Sequence, residues 1–466
     1  MFRLQRFLPA VLGLATCFTA TLALTATPAD LPVHDFPLGV YWPWERTEGI
    51  AKNAGLERWA FAKKTCELLK QKNVDTIWLV NIGVEDLKTL LPISRSLGLK
   101  LVPGLSEIEP KNCGGTMGLD PAAGDFHEKA KAYYERRVPE IMQTLGKDRD
   151  GVLAWVLCDE PTGVFFDLMD PIREIFAKAD PERPTLAVSM WPDTPNLIAK
   201  TKLTTFCIDL YPFFGPNNPN GPHTPNASRA FFSNNLQRMV DDAGKDGRIG
   251  WVMMQCFIEI WGPREIAADG TVTALPTACI HWRTPTLAEM RWQIWEALRL
   301  GAKGTYCFVL LGEGKGDPEA KPTDMPSVQS ILVKTPTPVG CEALLDPQGN
   351  ATPQGDELFA LYGKLAPHKA LLEKLSPSPT PWATVEGGVS IGCFCDSRNG
   401  DRYLIVTNPD FEAAQSATIT AATEMHKLTN VITDPSVEVT PLGPTDGPRK
   451  TKIHLEAGSG ALLKIE

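Results

Sequence analysis

The sequence is short of several things at once, and each shortage closes a class of function. Lysine and arginine number 46 against 55 aspartates and glutamates, a formal charge of −9, and no basic stripe stands out. The electrostatic footprint of a nucleic-acid binder is therefore missing. Histidine is scarce, seven in 466 residues, with no His-x-His or His-Glu-x-x-His pair. A metal centre is not expected. No Gly-x-Gly-x-x-Gly turn follows any strand-like run, so no dinucleotide cofactor is expected. The eleven cysteines form neither paired Cys-x-x-Cys knuckles nor a disulfide framework. Cys158, Cys207, Cys256 and Cys307 each sit in an apolar run and read as buried free thiols. Cys393 and Cys395 lie two apart on one strand, on one face. Internal repeats are absent, and no motif specifies an oligomeric state.

Long apolar runs are absent too, except at the start. Arg3 and Arg6 precede an uncharged stretch over 7–27, with small residues around Ala26 and Ala29. This pattern reads as a secretory signal over 1–29, giving a secreted or periplasmic chain with no stable membrane span after cleavage. Losing Arg3 and Arg6 takes the formal charge from −9 to −11. Leu14-Ala15-Thr16-Cys17 is a poor lipoprotein box, because Thr16 precedes the cysteine and the apolar run continues past it, so anchoring at Cys17 is not expected.

What is present is a regular alternation. Strand-like runs at 38–42, 76–81, 99–104, 152–158, 185–191, 206–211, 251–257 and 304–310 are separated by helix-length amphipathic segments at 57–72, 84–97, 125–145, 163–179, 194–200, 227–243 and 284–300. Thr284 and Pro285 read as N-cap and first residue of the seventh helix. An eighth helix fits 358–375. Helix-to-strand links are short, whereas strand-to-helix links such as 106–124, 213–226, 258–283 and 312–356 are long and rich in Pro, Gly and Asn. Eight such units, with one rim trimmed and the other elaborated, predict a (β/α)8 barrel over 36–375 whose working face is the C-terminal rim. Past the linker-like Ser376-Pro-Ser-Pro-Thr-Pro381 only short strands remain, and 382–466 reads as an all-β sandwich.

The rim residues carry the chemistry. Strand four, Val152–Cys158, ends in Asp159-Glu160-Pro161, two carboxylates delivered by an apolar strand. Alternation puts Ala154 and Cys158 on one face with Glu160, and the bulkier Trp155 and Leu157 on the other with Asp159. Glu160 is thus expected over the mouth, and Asp159 turned away unless the strand twists at its end. At the same rim stand Trp42 and Trp44, Asn81, Glu107, Ser189, Trp191, Asp209, Tyr211 and Gln255, with Glu259 four residues on and Glu313 after strand eight. Aromatic faces stack on sugar C–H surfaces, carboxylates and amides bind hydroxyls, and a paired acid and base cleave acetals. Each has a plainer role to weigh against this: a tryptophan at such a rim is more often packing, Asp209 can pair with a rim cation, and Asn81 can hold a loop.

Asp159-Glu160-Pro161 resembles the acid-bearing fourth strand of (β/α)8 glycoside hydrolases. Arg291-Trp-Gln-Ile-Trp-Glu-Ala-Leu-Arg-Leu-Gly-Ala-Lys-Gly304, running into Tyr306-Cys-Phe308, resembles the last helix and strand of β-galactosidase-type barrels, as do Asp209-Leu-Tyr-Pro212 and the turn Leu345–Pro353. The resemblance implies an enzyme, a hydrolase of O-glycosidic bonds in an extracellular carbohydrate. Glu160 would be general acid/base with its pKa raised, and Trp42, Asn81, Trp191, Asp209, Tyr211 and Gln255 would shape the subsite. Where those barrels carry a strand-seven glutamate nucleophile, this chain has Gln255, which cannot attack an anomeric carbon as a carboxylate does. Three readings stay open. Glu259 replaces the nucleophile from the loop. Or Asp159 and Glu160 work alone, resembling the Asp-Glu pair of β-hexosaminidase and β-N-acetylgalactosaminidase barrels, in which the aspartate orients the substrate's own 2-acetamido group. Or the barrel binds glycans without hydrolysing them.

Overall fold

A computed structural model describes residues 32–108, 118–120, 122–161, 163–216, 218, 221–261, 264–266, 272–274, 279–312, 343–421, 428–433, 438–442 and 449–465. The leader expected over 1–29, with Cys17, and the rim residue Glu313 lie outside them. Eight parallel strands form one sheet: β1 (Leu38–Pro43), β2 (Thr76–Ile82), β3 (Lys100–Leu105), β4 (Trp155–Asp159), β5 (Thr185–Met190), β6 (Thr205–Leu210), β7 (Ile249–Gln255) and β8 (Thr305–Phe308). Their spatial order is β3-β2-β1-β8-β7-β6-β5-β4. A bridge between Leu101 and Val152, with Leu153 N donating to Leu101 O at 2.8 Å, brings β3 to β4 and nearly closes the barrel.

Period-two alternation sorts the side chains into two cores. Outward residues such as Val40, Leu79, Leu157, Ala187, Ile208 and Met254 pack against the surrounding helices. Inward residues such as Trp78, Val102, Val156, Val188, Cys207, Met253 and Tyr306 fill the barrel. Tyr306 is flanked by Trp78 and Trp251, with ring centroids 5.3 and 5.5 Å away. Gly39 makes room for it, since a Cβ there would stand 2.2 Å from Tyr306 Cε1. Val33 joins the inner core, its N–H donating to Thr205 Oγ1.

The helix before β8, Leu287–Leu300, begins later than its sequence implies. Thr286, not Thr284, is the N-cap: its hydroxyl accepts from Glu289 N while the Glu289 carboxylate accepts from Thr286 N. This reciprocal box requires a glutamate three residues on, which position 287, three residues after Thr284, does not supply. Downstream, two antiparallel sheets pack on a core of their own. The apparent linker is partly strand: Leu375–Pro377 pairs with the edge of Ser390–Asp396, a position that tolerates proline. Leu428–Thr433 is a further strand that the pattern does not reveal. Against the barrel helices, Phe411 meets Trp292 at 5.0 Å, and Glu296, 3% exposed, accepts from Ser233, Arg299 and Thr407.

Candidate active site

The C-terminal rim is shaped by two one-residue insertions. On β4, Val156 pairs with Leu186 but Asp159 with Val188, so three steps on β4 match two on β5. Leu157 and Cys158 both fall in the outer core, and Asp159 returns to the inner side. The expected placement of Cys158 with Glu160 and of Asp159 away from the mouth is therefore corrected: a bulge resets the alternation. Tyr41 Oη, on the inner face of β1, donates to Asp159 Oδ2 at 3.3 Å. Glu160 follows with φ +47°, a left-handed backbone that a non-glycine residue adopts only where its surroundings hold it, and the end of β6 brings Asp209 into its electrostatic reach. The second bulge is on β2, where Leu79 pairs with Pro103 and Ile82 with Leu105. It carries Asn81 at φ +56°, whose Oδ1 is buried without a partner.

Asp159, Glu160 and Asp209 thus converge with Tyr41 and Tyr211. Burial and the Glu160 charge push the Asp159 carboxyl up to about 7, with the Tyr41 hydroxyl pulling the other way and Glu45 adding to the push. Glu160 is raised by burial, with Asp209 opposing and the charges of Glu259 and Asp193 adding. Asp209, 8% exposed, is pushed well above the carboxylate range by burial and by its two acidic neighbours, while Tyr211 hydrogen-bonds it in the opposing sense. The Tyr41 and Tyr211 phenols are raised by burial and these same charges. Carboxyls raised in this way are suited to giving and taking protons.

An aromatic wall stands beside the acids. Tyr41 and Tyr211 lie 4.8 and 5.7 Å from Phe308, and Tyr211 lies 5.1 Å from Phe257 and 5.4 Å from Trp282. Trp282 comes from a short antiparallel ladder, Glu259–Trp261 against Cys279–Trp282, in the loop after β7. On the same ladder Glu259 Oε1 and His281 Nδ1 are 3.0 Å apart. Sequence reasoning missed Tyr41, Phe308, His281 and Trp282. Counting inward from Gly39 along β1 reaches Tyr41, but nothing in the long loop singles out His281 or Trp282.

Three expected subsite residues are elsewhere. Trp42 is fully buried in the outer core, its Nε1 donating to Thr47 Oγ1 at 2.9 Å, because β1 alternation turns it opposite to Tyr41. Trp191 is 44% exposed, with its ring 5.3 Å from Phe231 of the outer helix Pro225–Gly244. Gln255 is wholly enclosed: Oε1 accepts from Phe213 N at 2.9 Å, and Nε2 donates to Arg283 O at 2.8 Å and Phe213 O at 3.2 Å. It staples the loops after β6 and β7 and has no amide group left for a ligand. Of the other rim residues, Trp44 is buried with Nε1 on Asp86, Glu107 receives Val84 N at the start of the helix Val84–Ser96, and Ser189 is buried against Thr194. Among the described residues, no group of three or more His, Cys, Asp or Glu has metal-binding geometry, and no helix is long and apolar enough to cross a membrane.

No family model matches the chain, and no curated protein matches it. Among solved structures it is similar to the β-glucuronidase of Ruminococcus gnavus, at 13% identity and TM-score 0.47, over 70% of this chain and 50% of that one. It is similar to the noncanonic maltogenic α-amylase AmyB of Thermotoga neapolitana, at 14% identity and TM-score 0.47, over 93% and 99%. It is also similar to Xyn30A of Clostridium acetobutylicum, a glycoside hydrolase family 30 subfamily 8 xylanase, at 10% identity and TM-score 0.46, over 93% and 96%. The chain spans about half the length of the R. gnavus β-glucuronidase. The likeness is distant and assigns no chemistry to the mouth of this barrel.

Proposed function

We propose that this chain is a secreted or periplasmic glycoside hydrolase that cleaves O-glycosidic bonds in an extracellular carbohydrate, with Glu160 as general acid/base. The observation that carries the reading is the β4 bulge, which turns Asp159 inward beside Glu160. That pairing favours substrate assistance. Glu160 protonates the glycosidic oxygen as the bond to the anomeric carbon breaks. The carbonyl oxygen of the substrate's 2-acetamido group, oriented by Asp159, forms the new bond to that carbon. Water then opens the cyclic intermediate, giving its proton back to Glu160. The aromatic wall offers a face for the sugar ring, and no strand-seven carboxylate is required, in keeping with the structural role of Gln255.

A second reading draws on Glu259, whose charge is felt at Glu160 and which pairs with His281. There Glu259 serves as the second protein carboxylate, and a 2-acetamido group is unnecessary. Chromogenic glycosides with and without that group separate the two. Substrate assistance expects turnover only with it, and Glu160→Gln should lower kcat by about 10²-fold or more in a folded protein. An unchanged rate in Glu160→Gln overturns the assignment. Glycan binding without turnover by the wild type would instead mark a barrel that has lost catalysis.

A further inference from the structure

We propose that the glycan taken by this mouth carries protonated amines. That the ligand is a glycan rests on the hydrolase reading; that it is cationic rests on the residues around the mouth. The strand register brings the acids together. Asp159 pairs with Val188 and Val188 with Cys207, Glu160 N donates to Val188 O at 3.0 Å, and Asp209 stands opposite Met253, two residues beyond Cys207. Cys207 and Met253 both line the barrel interior, so Asp209 turns inward at the same rim as Asp159 and Glu160. Glu259, opposite Trp282 in the loop ladder, adds a further carboxylate. Asp159, Glu160 and Glu259 are half-buried and open to a ligand. Asp209 is 8% exposed, and its Oδ1 is buried with no hydrogen-bond partner. The chain supplies no donor to that oxygen, so its demand falls on whatever fills the mouth.

The counter-charge is missing from the chain. Among the described residues, no lysine or arginine forms an ion pair with Glu160 or Asp209. The arginines of the adjoining loops are held by other partners: Arg46 donates to Leu311 O at 3.0 Å, and Arg283 to Glu289 at 2.6 and 2.8 Å. His281 lies 3.0 Å from Glu259, a lone imidazole in the described part of this acidic rim. Aromatic faces complete the site. Tyr211, Trp282 and Phe308 are half-buried, with Tyr211 5.4 Å from Trp282 and 5.7 Å from Phe308, and Phe257 and Tyr41 pack behind them. Ring faces attract an ammonium group through their quadrupole, and carboxylates attract it through charge and by accepting its N–H groups. A cleft with both focuses a negative field that draws a cationic ligand and repels an anionic one. Acids raised by burial ionise more readily beside a bound ammonium, which strengthens the attraction. A partly de-N-acetylated amino-sugar polymer meets every demand of the mouth, since it offers ammonium groups to the acids and 2-acetamido groups to the substrate-assisted route.

The test measures binding to the full chain by isothermal titration calorimetry, at low and high salt, with β-linked oligomers of glucose, N-acetylglucosamine and glucosamine of equal length. A cation-seeking mouth expects the glucosamine oligomer to bind about tenfold tighter than the glucose oligomer at low salt, with the preference shrinking at high salt. Asp209→Asn should cut that preference severalfold, and Glu259→Gln serves in its place if circular dichroism shows the asparagine variant unfolded. Absence of the preference in the wild type overturns the proposal. So does a preference that the folded variant leaves intact, since the amine is then bound away from this mouth. Chromatography of the products keeps the two readings apart. Amine-selective binding with no oligomer cleaved sinks the hydrolase reading and leaves the cationic ligand standing; cleavage of an oligomer with no preference for amines does the reverse.

Discussion

Asp159 is the residue whose behaviour departs furthest from its position in the sequence. Its carboxyl ordinarily ionises near 3.8 and is pushed up to about 7 in the folded chain. The folded state therefore binds the proton more tightly than the unfolded chain. The stability this contributes is complete below about pH 3.8 and is lost as pH rises through about 7. Asp159→Asn should accordingly raise the melting temperature at pH 8 more than at pH 5, a difference that calorimetry at the two pH values reads directly. Tyr41 works against the shift by donating to Asp159. Tyr41→Phe should move the Asp159 titration further up and reduce kcat/KM about tenfold, as expected for losing a hydrogen bond to a charged group. Alternation and rim position made Glu160, Asp209 and Tyr211 legible in the sequence. They misplaced Asp159, because one inserted residue is invisible to a period-two count. They also overvalued Trp42 and Trp191, since residue type alone says nothing about which face a rim tryptophan takes.

At the scale of elements, the strands and helices were legible because apolar runs and amphipathic segments differ in period, and the structure departs from those expectations mainly at boundaries. The helix Thr194–Lys200 has its expected bounds, whereas the start of Leu287–Leu300 depends on a side-chain reciprocity that propensity does not encode. Thr286→Ala should cost about 1 kcal/mol of stability, measurable by chemical denaturation. Gln255 makes a sharper case. A glutamate there looks like a restored nucleophile on strand seven, but the site is a closed pocket where an amide donates to the Phe213 and Arg283 carbonyls. Gln255→Glu should destabilise the protein by about 3 kcal/mol or more, since it places a charge against carbonyl oxygens and removes their donor, and it should confer no activity on substrates lacking a 2-acetamido group. Denaturation midpoints and the glycoside screen check the two halves.

At the scale of the whole molecule, the antiparallel sheets are fastened to the barrel through the helix Leu287–Leu300. Its Glu296 accepts from Thr407 at 3.2 Å, and Arg291 reaches Ala457 O at 3.1 Å. The same helix carries Gln293, which exchanges hydrogen bonds with the Gln255 backbone at 3.0 and 2.9 Å. A chain cut before Leu375 would uncover Phe213 and Trp292, which Phe411 now covers, and should be recovered largely as aggregate on size-exclusion chromatography. The helix Leu287–Leu300 also gives the molecule a thermal character. One rod touches both the accessory sheets and the staple that holds the rim loops, so neither end has an independent melting path. Heat should loosen the rim loops and dissolve the sheets in one cooperative step, so calorimetry should record a single transition.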